Sequence, residues 1–175
     1  MDVTIRTAGR ADVPGILDIY NDAVLHTTAS YDDEPSTLEA RLDWFDGKTR
    51  HGLPVFVAED ETGVVGWSAF GPFRPWPGYR YAVEHSVYVA ASRRGRGIGT
   101  ALLPPLIERA REMGMHAMIA GIDAANAPSI RLHARLGFER VAHFKEVGFK
   151  FDRWLDLVFM ELLLGDGGGR PAPTP

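Results

Sequence analysis

A cluster of glycines and arginines lies where a predicted strand ends and a predicted helix begins, and it constrains the fold more than any other segment. It consists of Arg94-Gly95-Arg96-Gly97-Ile98-Gly99-Thr100. Glycines let the backbone curl so that several N–H groups converge, and the start of the helix adds a positive dipole end. The arginines add charge-assisted hydrogen-bond donors. The segment therefore indicates a phosphate-binding loop, with a tight turn that binds nothing as the alternative.

Two common phosphate motifs do not match this loop. The P-loop pattern ends in Gly-Lys-Ser/Thr, and the loop contains no lysine. The dinucleotide pattern Gly-x-Gly-x-x-Gly also fails, because Gly95, Gly97 and Gly99 are each separated by a single residue. That pattern also belongs after the first strand of a unit, whereas this loop follows about the fourth predicted strand.

Hydrophobic periodicity predicts strands and helices that alternate along the chain. The predicted strands cover residues 3–7, 54–59, 64–70, 84–90, 116–122, 138–149 and 153–163. The predicted helices cover about residues 13–26, a segment that begins near 36, residues 98–113 and residues 126–136. A hairpin early in the chain and paired strands late in the chain favour an α/β (α+β) class with a mixed sheet.

Caps and helix breakers refine this prediction. Asp12 and Asn126 are candidate N-caps, and Ser36 and Glu39 have the spacing of a capping box. Pro104-Pro105 lies inside the third predicted helix, where each proline removes a backbone hydrogen bond, so we expect a kink or a broken turn. The segment 71–79 is rich in proline, glycine and aromatic residues, so it is predicted to form a loop.

Composition limits the classes of protein to which the chain can belong. Its 175 residues suit one domain, predicted over residues 1–164, and the Gly/Pro-rich tail 165–175 is predicted to be disordered. A net charge of -4 argues against broad binding to nucleic acid or to an anionic membrane. Cysteine is absent, the six histidines are scattered, and we see no signal peptide, so we expect no metal site and a cytoplasmic location.

Several segments, in order along the chain, resemble one enzyme family. The pattern Arg94-x-x-Gly97-x-Gly99 resembles the pyrophosphate signature of the GNAT superfamily of N-acetyltransferases, and residues 126–138 resemble its later Asn-to-Gly-Phe segment. Residues 19–24, 83–89 and 150–158 resemble the phosphinothricin N-acetyltransferase branch. Relatives of that branch act on methionine sulfoximine and methionine sulfone. The resemblance covers about residues 3–163.

The resemblance implies a GNAT fold with a mixed, mostly antiparallel sheet that splays between strands 4 and 5. Acetyl-CoA would enter the gap as co-substrate. Its pantetheine would pair with the fourth strand, its pyrophosphate would lie on the glycine loop, and the later helix would contact it from the far side. The implied cofactor residues are Val87, Tyr88, Val89, Arg94, Gly95, Arg96, Gly97, Ile98, Gly99, Thr100, Asn126 and Ser129.

Two residues are candidates for acid–base catalysis. An amine must be neutral to attack a thioester, and Glu84 stands where the branch places a proposed catalytic glutamate. The alternative is a solvated carboxylate at a strand edge. His133 occupies the position of the superfamily's usual tyrosine acid, and either this imidazole or water would protonate the leaving thiolate. A packed or capping histidine is an equal alternative. His85 should face away from Glu84 and is expected to be structural.

Substrate recognition is assigned to the segment before Glu84. Arg74 and Arg80 lie in or near the predicted loop, and an arginine fork suits the carboxylate or phosphinate of a zwitterionic substrate. Phe73, together with Trp76 and Tyr79, is a candidate wall of the pocket. Solvated charges and aromatic anchors of the loop are the alternatives.

The sequence therefore predicts an acetyl-CoA-dependent N-acetyltransferase for the amine of a small, amino-acid-like substrate. An inactive acyl-CoA-binding module and a peptide or protein N-terminal acetyltransferase are the alternatives. A homodimer is also expected, because relatives of the branch are dimeric and residues 154–159 supply more apolar surface than one sheet edge needs.

Overall fold

The computed structural model describes residues 2–165, which form four α-helices and seven β-strands. The strands are β1 (Thr4–Thr7), β2 (Val55–Asp60), β3 (Gly63–Pro72), β4 (Ala82–Val89), β5 (Ala117–Asp123), β6 (Glu139–Lys150) and β7 (Arg153–Leu163). The helices are α1 (Val13–His26), α2 (Leu38–Arg50), α3 (Ile98–Glu112) and α4 (Ala127–Arg135). The predicted disordered tail lies outside the described residues, apart from Gly165.

All seven strands form one sheet in the order β1-β2-β3-β4-β5-β7-β6. Every neighbouring pair is antiparallel except β4 and β5, which run parallel. The parallel pairing covers only Ala82–Glu84 against Ala117–Ile119, and beyond it the two strands separate. This mixed sheet and its split between strands 4 and 5 confirm the predicted α/β (α+β) class.

Alternation along the strands gives each face of the sheet its own helices. One face packs Val57 and Trp67 against α1 and α2. The other face packs α3 against the sheet, where Met118 and Val158 are fully buried and Leu103 and Leu106 are the matching helix residues. Because adjacent strand residues point to opposite faces, both layers are built on the same central strands.

The helix starts show which local signals decided the structure. The side chain of Asn126 accepts from the backbone N–H of Ser129, so its predicted capping role is confirmed. Thr37, rather than Ser36, caps α2 by accepting from the N–H of Ala40. Asp12 does not cap α1, because Arg6 and the N–H of Gly9 bind its carboxylate instead.

Two further expectations needed correction. The helix α3 runs unbroken through Pro104 and Pro105, so the expected broken turn is absent from it. The apolar face of this helix buries Leu103, Leu106 and neighbouring residues against the sheet, and this packing outweighs the lost backbone hydrogen bonds. The predicted loop starts later than expected, since β3 extends to Pro72 through pairing with β4.

Candidate active site

The split between β4 and β5 opens a cleft of about 700 Å³. One wall is the edge of β4 from Val87 to Val89, which has no pairing with β5. The opposite wall is the start of α4 with Asn126 and Ser129, and the end of the cleft is the glycine loop before α3. A strand edge without a partner offers backbone groups to a ligand that can bind as an added strand.

The glycine loop has the conformation that its sequence predicts. Gly95 and Gly97 adopt left-handed φ angles of 77° and 81°, and Gly97 is the N-cap of α3. An added Cβ at either position would have no neighbour within 4 Å, so glycine is required there by backbone conformation. At Gly99 the reason differs, because a Cβ would lie 3.1 Å from Leu132 of α4.

Nearly all the predicted cofactor residues line this cleft. They are Val87, Tyr88, Val89, Arg94, Gly95, Gly97, Ile98, Gly99, Thr100, Asn126 and Ser129. Arg96 is exposed and is not among the lining residues. Arg94 bonds the carbonyl of Val89 and lies 3.3 Å from the Asp22 carboxylate. Arg135 and Arg153 also line the cleft, and the sequence analysis missed both because no local motif marks them.

A second cavity of about 430 Å³ shares Val87, Asn126 and Ser129 with the cofactor cleft. Glu84, the last residue of β4 that pairs with β5, lines this cavity. On β5, Gly121 leaves room for the Glu84 carboxylate, since a Cβ there would lie 3.0 Å from Oε1. The strand split therefore places a carboxylate in a cavity that is continuous with the cofactor cleft.

The electrostatics of Glu84 combine burial with one cation. Partial burial raises the pKa of Glu84, and the Arg74 guanidinium, 3.6 Å from its Oε2, lowers that pKa in part. Arg74 lines the same cavity and lies over the ring of Phe73. Arg80 is exposed, bonds the carbonyl of Pro77 and is not a lining residue. The structure therefore brings Arg74 and Glu84 together but not Arg80.

Phe73 does not line either cavity, but it supports residues that do. Its ring packs edge-on against Phe159, which lines the Glu84 cavity, and against Tyr79. Trp76 is 63% exposed at the outer end of this aromatic group. The predicted aromatic wall is thus indirect, because Phe73 holds Arg74 and Phe159 in place.

Two buried histidines line the cavity. His85 and His133 stack with their rings 5.0 Å apart, and their Nε2 atoms are 3.1 Å apart. Nδ1 of His133 is 2.7 Å from the carbonyl of Ser129, which assigns its proton to Nδ1 and makes Nε2 the acceptor from His85. Burial lowers the pKa of both histidines, that of His85 to about 3, so both rings are neutral.

The described residues contain neither a candidate metal cluster nor a candidate membrane-spanning helix. Within residues 2–165, no group of three or more His, Cys, Asp or Glu side chains has the geometry of a metal site. Within that range no helix has the length and hydropathy needed to cross a membrane.

Comparison with known proteins agrees with this geometry. The family model described as acetyltransferase (GNAT) family matches residues 16–138. An L-methionine sulfoximine/L-methionine sulfone acetyltransferase of Pseudomonas aeruginosa is 53% identical over 165 residues, which cover 94% of this chain and 96% of that protein.

Two solved structures extend the comparison. A phosphinothricin acetyltransferase from Sinorhizobium meliloti, solved in complex with AcCoA, superposes with a TM-score of 0.94 at 41% identity and covers 98% of this chain and 94% of that one. A ribosomal-protein-alanine N-acetyltransferase from Brucella melitensis has a TM-score of 0.89 at 52% identity, covering 91% and 99%. The family match, the split sheet and the glycine loop lead to one conclusion: the chain belongs to the GNAT family of acetyltransferases.

Proposed function

We propose that this chain transfers the acetyl group of acetyl-CoA to the amine of a small amino acid of the methionine sulfone, methionine sulfoximine or phosphinothricin type. The observation that carries the proposal is the position of Glu84. Its half-buried carboxylate lines a cavity of small-molecule size that is continuous with the cofactor cleft through Val87, Asn126 and Ser129. The activities named for the similar proteins supply the substrate class.

The residues of the cleft suit acetyl-CoA. Gly95 and Gly97 have left-handed backbones, so the loop curls towards the free N–H groups at the start of α3. Arg94, Arg135 and Arg153 add positive charge for phosphates, and the unpaired edge of β4 suits the amides of a pantetheine arm. Bound acetyl-CoA supplies the acetyl thioester; the protein residues position it and handle the protons.

Glu84 is proposed to act as the general base. The incoming ammonium group loses a proton to the Glu84 carboxylate, directly or through one water, and the neutral nitrogen attacks the thioester carbon. The C–N bond forms as the C–S bond breaks, and the electron pair of the C–S bond leaves on the thiolate sulfur. The nitrogen then passes its surplus proton to water and becomes the neutral amide, and the thiolate takes up one proton. The raised pKa of Glu84 makes it a better proton acceptor than an exposed carboxylate, while Arg74 limits the rise.

The proton for the thiolate has two candidate donors, His133 and water. Each neutral ring has one N–H group. That of His133 donates from Nδ1 to the Ser129 carbonyl, and that of His85 donates from Nε2 to Nε2 of His133. The Ser129 hydroxyl is 3.4 Å from Nδ1 of His133 and lines both cavities, so it is the link between the imidazole and the cleft. This arrangement supports a positioning role for His133 and favours water as the donor to sulfur.

The substrate carboxylate is proposed to bind Arg74. This guanidinium lines the Glu84 cavity, donates to the Phe73 carbonyl and lies 3.6 Å from the Glu84 carboxylate. Arginine offers a planar fork that matches a carboxylate. Arg80 is proposed to support the loop and not to bind the substrate, because its side chain donates to the Pro77 carbonyl outside the cavity.

Turnover with a panel of amines tests the proposal. Acetyl-CoA is mixed with methionine sulfone, phosphinothricin, leucine and short peptides, and thiol release is followed. We expect the sulfone and phosphinothricin to be the best substrates. An alanine-starting peptide as the best substrate would favour the N-terminal acetyltransferase alternative, which the Brucella relative supports. Tight binding of acetyl-CoA with no turnover would favour an inactive acyl-CoA-binding module.

We also propose that the enzyme is a cytoplasmic homodimer. Leu155 and Val158 are buried within the chain itself, so they are not available to a partner. Other apolar side chains of the β6–β7 hairpin are exposed: Val141, Phe144, Val147, Phe149, Phe151 and Trp154. The outer edge of β6 has no neighbouring strand within the described sheet. Light scattering that returns the monomer mass of 19.3 kDa at micromolar concentration would contradict the dimer.

A further inference from the structure

A third cavity of about 390 Å³ adjoins the Glu84 cavity on the α2 side of the sheet, and it is called the α2 pocket here. It shares Glu84, Ser86 and Tyr88 with the active-site cavity, so the two are continuous along one face of β4. Its walls come from α1, α2 and β3 and contain Tyr20, Arg41, Trp44, Lys48 and Trp67. A substrate held by Glu84 can therefore extend into it.

Arg41 is the unusual residue of this pocket. It is only 7% exposed, and its Nε is buried without a hydrogen-bond partner. Its guanidinium lies 3.8 Å from the centre of the Tyr20 ring, and no carboxylate of the described residues lies within ion-pair distance of it. Burying a cation without an anion is costly, and an acceptor entering the pocket would offset that cost.

Two other residues of the pocket carry donors whose bonding is incomplete. The Nε1 of Trp67 is buried and has no hydrogen-bond partner, although Trp67 is only 2% exposed. Nζ of Lys48 donates to the carbonyl of Phe70 and has no ion pair within the described chain, and burial lowers the pKa of Lys48 to about 8. The aromatic rings around these donors exclude water, which strengthens a hydrogen bond to any acceptor that enters.

Three carboxylates also line the pocket, but none of them forms an ion pair with Arg41 or Lys48 within the described chain. Asp32 and Glu34 are exposed, and Asp32 accepts from the Tyr20 hydroxyl. Burial has the largest effect on the pKa of Arg41 and lowers it, whereas the Asp32 charge raises it by less, and Asp32 lies beyond ion-pair distance of Arg41. Glu84 lies at the junction with the active site. The desolvated charges of the pocket are therefore the two cations, and a bound group must present oxygen acceptors to them.

From these contacts we infer that the α2 pocket binds the side-chain oxo group of the amino-acid substrate, a sulfonyl, sulfoximine or phosphinyl oxygen, through Arg41 and Lys48. The inference rests on the proposed function and deepens it. Substrate would be held at three points: its amine at Glu84, its carboxylate at Arg74 and its side-chain oxygens in the α2 pocket. A thioether or aliphatic side chain would leave the pocket donors unpaired, so it would bind less well.

The test compares methionine sulfone with methionine, which differ only in two oxygen atoms. In Lys48→Met we expect kcat/KM for the sulfone to fall about 10- to 150-fold, the usual cost of a hydrogen bond to a charged group, and that for methionine to fall far less. Arg41→Lys should also reduce the ratio of kcat/KM for methionine sulfone to kcat/KM for methionine. Arg50→Met removes an exposed cation from the same helix and should leave the ratio at the wild-type value.

Equal losses on both substrates, or no loss on the sulfone, would overturn the inference. Because Arg41 is buried, its variant can fail to fold, and Lys48→Met then decides the outcome. Calorimetric binding of methionine sulfone to the CoA-loaded protein separates this inference from the proposed function. Binding that weakens in Lys48→Met but not in Arg50→Met supports the pocket even if the wild type fails to turn over. Binding that is the same in both variants rejects it.

Discussion

The cofactor cleft and the α2 pocket both adjoin β4, but they are built from different parts of the chain. The cleft is made largely of backbone: a strand edge, a glycine loop and a helix start. The α2 pocket is made of side chains that come from α1, α2 and β3. Backbone sites bind what every member of a family shares, whereas side-chain sites can vary with the substrate. We therefore expect the two regions to bind their ligands independently, since both adjoin the cavity that Glu84 lines.

The largest expected effect is on kcat, and it is expected at Glu84. Glu84→Gln keeps the shape of the side chain but removes the base, so kcat should fall about 10²- to 10⁴-fold. Acetyl-CoA affinity should stay close to wild type, because Glu84 does not line the cofactor cleft. Steady-state kinetics with calorimetry on each ligand measures this. Partial rescue at high pH is expected, because more of the amine is then neutral. Full activity at every pH would remove Glu84 from the mechanism.

Arg74 is expected to have the next largest effect. Arg74→Lys replaces a fork with a point charge, and KM for methionine sulfone should rise about 10- to 150-fold. The loss should nearly vanish with the decarboxylated analogue, an amine with the same sulfone. Arg80→Lys is the matched control and should change KM little, because Arg80 lies outside the cavity. Equal losses on both amines would indicate a general defect of the loop.

Arg74 also determines the pH profile of Glu84. The Glu84 pKa is raised by burial and lowered by Arg74, so removal of this cation in Arg74→Gln should raise the pKa further. A base must be deprotonated to act, and so the acidic limb of kcat should shift to higher pH. Kinetics between pH 5 and 9 would show the shift, and an unchanged limb would assign that limb to another group.

A smaller effect is expected at the glycine loop. Gly97→Ala places a Cβ on a residue with φ of 81°, which costs about 1–2 kcal/mol of stability. Acetyl-CoA affinity should also fall by about 10-fold, because the loop can no longer fit closely around the phosphates. Gly114→Ala has a similar φ of 71° outside the cleft, so it should lose stability but not affinity. Equal losses of acetyl-CoA affinity in Gly97→Ala and Gly114→Ala would contradict a phosphate-binding role for the glycine loop.

The smallest effect on catalysis is expected at His85, whose burial influences stability instead. The pKa of His85 is lowered to about 3 by burial, so below about pH 6.5 the unfolded chain binds a proton that the folded chain does not. Unfolding free energy should therefore fall with decreasing pH, by about 1.4 kcal/mol per pH unit from this group. His85→Gln keeps a donor for His133 and should make the slope shallower. His51→Gln, at an exposed position, should retain the wild-type slope.

The sequence determined the backbone half of the active site. Gly97 and Gly99 stand at fixed spacing before a helix, and the Asn126 cap needs only a residue three positions away, so both features are local. Glu84 was placed by its strand and by the family resemblance. Local patterns failed where tertiary packing outweighed them: Asp12 was bound by Arg6 from β1, and Pro104-Pro105 was held within α3 by its packing against the sheet.

Only the tertiary structure decided which side chains meet in the substrate region. Arg74 and Arg80 look equivalent in sequence, yet only Arg74 lines the cavity with Glu84. In the sequence, Arg41 looks like an ordinary cation on a helix surface. In the structure, α2 packs it against Tyr20 and the sheet, where it is buried. Its burial depends on residues distant in sequence, and no local spacing encodes their approach. The physical reason is that backbone conformation is set by near neighbours, whereas desolvation of a charge is set by whatever the fold places around it.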